Sequence, residues 1–158
     1  EDSGISHLFF IYWGITEIYT ASVPAALANG AFYGSAGQGR IASAPRADYA
    51  EAAAVVLAGS GHEGKVYELA GDAAYTLADL AAEISRQTGR AIPYVNLPEA
   101  EYAAALKGAG LPAGLAEGLA SWDVGAAQGA LFDDGHVLSR LIGRPTTSLQ
   151  TSVAAALA

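Results

Sequence analysis

Apolar positions change their period along this chain, and the change divides it into two parts. Residues 7–13, His-Leu-Phe-Phe-Ile-Tyr-Trp, are a continuous apolar and aromatic run without fixed charge. Such a run predicts a strand buried on both faces. Ile15, Ile18, Tyr19 and Val23 then recur near helical spacing, Pro24 kinks or splits that helix, and Asn29-Gly30 stops it. Residues 31–43 set two short β-prone pieces around a Gly-rich turn, which predicts a hairpin. Asp48 as N-cap with Glu51 three residues on opens a helix that stops at Gly59. Residues 65–71 read as a second strand. Thr76 and Asp79 repeat the capping pattern for a helix ending at Gly89. Residues 91–97 form a short strand whose internal Pro93 marks it as an edge or an isolated piece. From Pro98 the pattern is helical, at about 98–108, 113–122, 134–142 and 147–157, punctuated by Gly110, Pro112, Gly125, Gly143 and Pro145.

The element order is α/β at the front and all-α at the back. We expect one domain over 1–158, with an α/β part at 1–95 and a helical part at 96–158. A chain of 158 residues is long enough for a real core. Its 52% hydrophobic and 15% charged residues exclude intrinsic disorder. A net charge of −8 with eight basic residues argues against nucleic-acid partners and anionic membranes. Leu8–Ile15 is too short for a membrane helix, and no basic segment precedes it, so it does not read as a signal peptide. The absence of Cys excludes disulfides, thiolate chemistry and Cys-based zinc sites. With Glu1 in first place and no Met anywhere, the chain reads as processed, trimmed or cut from something longer.

Candidate chemistry is sparse. The turn Gly34-Ser35-Ala36-Gly37-Gln38-Gly39-Arg40 matches neither G-x-G-x-x-G nor the P-loop, and β-like residues follow it where a helix should start. His7, His62 and His136 are far apart in sequence, so no metal site is expected. Asp133-Asp134-Gly135-His136 reads as a solvated loop before a helix, and no G-x-S-x-G elbow is present. Glu99 and Glu101 suit the first turn of a helix, where the macrodipole favours acids. Arg46 and Asp48 stand at a strand-to-helix junction, where an Arg either faces a cleft or pairs locally.

Five stretches together carry a resemblance: ASVPAALANGAFYGSAGQGRIASAPRADYAEAAA at 21–54, GHEGKVYELAGDAAYTLADLAAEISRQTGR at 61–90, LKGAGLP at 106–112, GALFDD at 129–134 and LIGRPTTSL at 141–149. In this order and at these intervals they resemble the C-terminal half of bacterial NAD(P)H-dependent quinone oxidoreductases, of the NmrA-like, atypical short-chain dehydrogenase group. The match runs from about Asp2 to near the C-terminus. It implies a Rossmann-like remnant of few strands followed by a helical, substrate-side part, and a cytoplasmic setting. The family's cofactor half, with its Gly-rich dinucleotide loop, is not among these residues.

The opening segment departs from the family. Where the family usually reads Leu-Arg-Asn-Gly-Trp-Tyr-Thr-Glu-Asn-Tyr, this chain has Phe10-Ile11-Tyr12-Trp13-Gly14-Ile15-Thr16-Glu17-Ile18-Tyr19. Ile11, Tyr12 and Ile18 replace polar residues that help shape the nicotinamide and substrate pocket, and positions 6–9 also differ. Changes concentrated in one segment read as an engineered truncation with a rewritten first strand. A natural truncated paralogue is the alternative origin.

Three functions follow from the resemblance. The first is a module that is non-catalytic on its own, with no NADPH bound and no catalytic residues, self-associating as a homodimer through Phe9, Phe10, Ile11, Tyr12 and Trp13. Its vestigial cofactor-side candidates are Thr16, Glu17, Ser43 and Arg46. The second is an NAD(P)H-dependent quinone oxidoreductase active only with a separate cofactor half. The third is a binding module for apolar or aromatic small ligands.

Overall fold

The computed structural model describes residues 7–158. The expected start of the resemblance at Asp2 and the departure at position 6 lie outside the described residues. Four short strands and eight helices are described: β1 Phe9–Tyr12, α1 Thr16–Thr20, α2 Val23–Asn29, β2 Phe32–Gly34, α3 Arg46–Ala58, β3 Val66–Leu69, α4 Leu77–Thr88, β4 Tyr94–Asn96, α5 Glu99–Gly108, α6 Ala113–Ala127, α7 Val137–Ile142 and α8 Leu149–Leu157. The strands form two parallel pairs, β1 with β3 and β2 with β4. Single bridges from Ile15 to Ala44 and from Ile41 to Tyr75 join the segments between them.

The predicted helices largely form where their signals lie. Pro24 divides the first helical stretch into α1 and α2, because its ring supplies no N–H and suits the first turn of a new helix. Thr76 makes a full capping box with Asp79, and Gly89 ends α4 in the left-handed region at φ 67°. Leu77, Leu80, Ala81 and Ile84 fall on one face of α4 and enter the main core with Val23, Phe32, Ile41, Tyr75, Ile92 and Val153.

Three expectations fail. The hairpin over 31–43 does not form: β2 pairs with β4, while Ile41 and Ala44 make isolated bridges to Tyr75 and Ile15. The Gly-rich turn is a packing device, since a Cβ on Gly39 would collide with the carbonyl oxygen of Ala126 in α6. Asp48 is not the N-cap of α3. That position is Pro45, and Asp48 points inward to a distant loop. Finally, the first strand is not buried on both faces. Phe10 packs toward Tyr67 and the cluster of α3 and α7, so that face is partly covered, and Tyr12 meets Tyr49 edge-on at 4.5 Å between centroids while staying 47% exposed. Phe9, Ile11 and the neighbouring Val66 remain 59%, 46% and 57% exposed on the other.

Candidate functional site

The four cofactor-side candidates meet at one junction, and their contacts there are structural. Thr16 opens α1 and its hydroxyl lies 2.8 Å from that of Ser43, which in turn lies 2.7 Å from the Tyr75 hydroxyl. All three residues are buried, so the chain of hydroxyls satisfies groups that would otherwise be costly to enclose. Burial pushes the Tyr75 phenol up to about 12. Both Glu17 carboxylate oxygens accept from the Arg46 backbone N–H, at 3.0 and 3.2 Å. Glu17 thus caps α3 from α1, and the Arg46 side chain is left exposed. A cavity of about 190 Å3 opens beside Ser43 and Tyr75, bordered by Asp72 and Thr146.

A larger cleft lies between α1, α5 and α6. Its volume is about 330 Å3, and Ile18, Tyr19, Phe32, Tyr102, Leu119 and Trp122 form most of its wall. Asp123 lines it as well. This carboxylate is 4% exposed and accepts one hydrogen bond, from the Ser35 backbone N–H to Oδ2 at 2.8 Å. Desolvation, only partly offset by that hydrogen bond, raises its pKa to about 6. Burial also pushes the Tyr19 and Tyr102 phenols well up, and the nearby Asp123 charge adds to both shifts. The β2–β4 pair places Ser35 under the acid, and Gly34 makes room for it: a Cβ there would lie 2.8 Å from Asp123 Oδ2.

Sequence reasoning did not single out Asp123. A lone Asp within an Ala- and Gly-rich helix carries no motif, and the available signal was its flank of large apolar residues, Leu119 and Trp122. The five self-association candidates, Phe9 to Trp13, stay together on β1 and just after it, away from this cleft. Among the described residues, the Trp13 indole N–H is buried without a hydrogen-bond partner. No three His, Asp or Glu side chains cluster as metal ligands among the described residues. The spelling Gly59-Ser60-Gly61-His62-Glu63-Gly64 does match G-x-G-x-x-G. It connects α3 to β3, however, and a dinucleotide loop must run from strand to helix so that a helix N-terminus meets the pyrophosphate.

No family model matches the chain. It is 59% identical over 152 residues to quinone oxidoreductase 2 of Escherichia coli, a match covering 96% of this chain and 53% of that protein. This chain is a close homologue of part of that enzyme. The solved structure of the Escherichia coli NADPH-dependent quinone oxidoreductase superposes with a TM-score of 0.96 over 99% of this chain and 57% of the other, at 57% identity. Its complex with NADPH gives 0.95. Triphenylmethane reductase of Citrobacter sp., complexed with NADP(H), gives 0.91 at 29% identity, over 97% of this chain and 54% of the other. The chain therefore spans about half the length of the relatives it matches. Its fold is α/β with few parallel strands and many helices, like these Rossmann-like reductases. No helix among the described residues is long and apolar enough to cross a membrane.

Proposed function

We propose that this chain is the substrate-side portion of an NAD(P)H-dependent quinone reductase, which holds a planar aromatic compound and performs no hydride transfer alone. The observation that carries this reading is the cleft walled by Tyr19, Phe32, Tyr102 and Trp122. Aromatic walls suit a flat, apolar ligand through offset and edge contacts. Ile18, standing where the resemblance calls for a polar residue, makes the wall more apolar. Hydride would come from a bound nicotinamide, whose pyrophosphate needs a strand–Gly-rich loop–helix unit that the described residues do not supply. With a separate cofactor half, NADPH would complete the site. Thr16, Glu17, Ser43 and Arg46 then serve the framework of α1 and α3 and do not touch the cofactor.

The open face of β1 supports a second element of this reading. Phe9, Ile11 and Val66 make an exposed apolar patch, and β1 pairs with β3 alone among the described residues. In the isolated chain a second copy covers this patch, giving a homodimer about a two-fold axis.

The cleft is tested by titrating menadione into a Trp13→Phe variant, whose single remaining indole is Trp122. Saturable quenching that Tyr102→Ala weakens supports the reading. Unchanged emission with menadione in excess removes it.

A further inference from the structure

Three polar groups at the wall of the apolar cleft make no hydrogen bond among the described residues and stay accessible from it: Asp123 Oδ1 and the hydroxyls of Tyr19 and Tyr102. The Asp123 carboxylate spends Oδ2 on the Ser35 N–H, and no Lys, Arg or His contributes to its environment. A nearly enclosed carboxylate oxygen with no protein donor is poorly solvated, and a ligand that donates to it from the cleft replaces that lost solvation. Resting on the aromatic-cleft reading, we propose that Asp123 sets the ligand class: a planar aromatic compound bearing a hydroxyl or amino donor, a phenol, hydroquinone or arylamine, whose donor Asp123 accepts.

The geometry explains why the donor must sit on an aromatic frame. Asp123 lines the cleft together with Phe32, Leu77 and Leu119. A small polar solute gains nothing from that wall, and an aromatic ligand without a donor leaves the carboxylate unpaired. Quinones, which carry only acceptors, suit the protonated acid, and their reduced hydroquinones suit the carboxylate. The titratable groups facing Asp123 are the phenols of Tyr19 on α1, Tyr94 on β4 and Tyr102 on α5, each raised by burial and so neutral across the working range. Asp123, held near 6, is thus the group that changes charge there.

The test is calorimetric titration at about pH 8 with 2-naphthol, which has a donor, and 2-methoxynaphthalene, which does not. A charge-assisted hydrogen bond makes 2-naphthol bind roughly tenfold tighter or more to the parent chain. Asp123→Asn, which keeps the shape and an oxygen for Ser35, shrinks that margin, as does lowering the pH of the parent to about 5. Equal affinities in the parent at pH 8, or a margin untouched by both changes, overturn the role of Asp123 while leaving the cleft reading in place. If neither naphthalene binds, the cleft reading itself fails and this inference with it. Should Asp123→Asn not fold, the parent's pH comparison decides.

Discussion

Glu17 caps the helix that begins at Arg46, with both carboxylate oxygens accepting the same backbone N–H at 3.0 and 3.2 Å. The cap is tertiary: it comes from α1, twenty-nine residues earlier. Glu17→Ala is expected to destabilise the fold by about 0.5–2 kcal/mol, the usual cost of a lost cap. Arg46→Ala leaves the N–H in place and costs far less. Urea denaturation of the two variants checks this, and equal losses would show that the Arg46 side chain matters as well.

Asp48 ties α3 to the loop before α8. It is 1% exposed and accepts from Thr147 N at 2.7 Å, Thr147 Oγ1 at 2.9 Å and Arg144 Nη2 at 2.8 Å. Asp48→Ala strands these donors and is expected to cost about 3 kcal/mol. Arg144 is 40% exposed, so Arg144→Ala should cost clearly less. Thermal unfolding of both variants measures the ordering, and a reversed order would refute this account of Asp48.

Stability should fall with rising pH through one defined window. Asp123 has a reference pKa of 3.8 and one of about 6 in the fold. Between those values the folded chain keeps a proton that the unfolded chain has released, so stability declines as pH rises and the loss is complete above about 6. The size is on the order of 3 kcal/mol. Asp123→Asn removes this slope and is expected to be more stable than the parent at about pH 8. Denaturation midpoints at about pH 4 and pH 8 for both chains test the sign, and a parent whose Asp123-dependent stability increases with pH would contradict it.

The open face of β1 makes a hydrodynamic prediction. Phe9 and Ile11 lie on the exposed side of the strand, and on the other side Phe10 packs against the cluster of α3 and α7 while Tyr12 touches Tyr49 and stays 47% exposed. Phe9→Lys with Ile11→Lys should therefore shift a dimer toward monomer without loss of fold. Phe10→Lys with Tyr12→Lys should instead destabilise the chain itself. Sedimentation of the parent and both pairs distinguishes these outcomes, and a monomeric parent at high micromolar concentration removes the dimer.

Local signals were legible wherever one residue type acts on its own neighbours. Thr76 with Asp79, Pro24 and Gly89 all work within a single turn, and their elements form as the sequence implies. Asp48 misled because D-x-x-E spells a cap locally, while the side chain found partners ninety-nine residues away at Thr147. The Gly-rich turn misled for a related reason: Gly39 is required by the carbonyl of Ala126, which no local pattern announces. The cleft was hidden more deeply. Tyr19, Ser35, Tyr102 and Asp123 come from four separate segments, and their chemistry exists only once β2, α5 and α6 are assembled. The family resemblance reached the fold correctly, because it rested on the order and spacing of several motifs along the chain.

The central claim separates binding an aromatic compound from reducing it. Calorimetry with menadione and with NADPH on the isolated chain, followed by NADPH absorbance in the presence of both, tests it most directly. The account predicts saturable heat with menadione, no heat with NADPH and a steady NADPH signal. Micromolar NADPH binding together with continuous NADPH oxidation would contradict it.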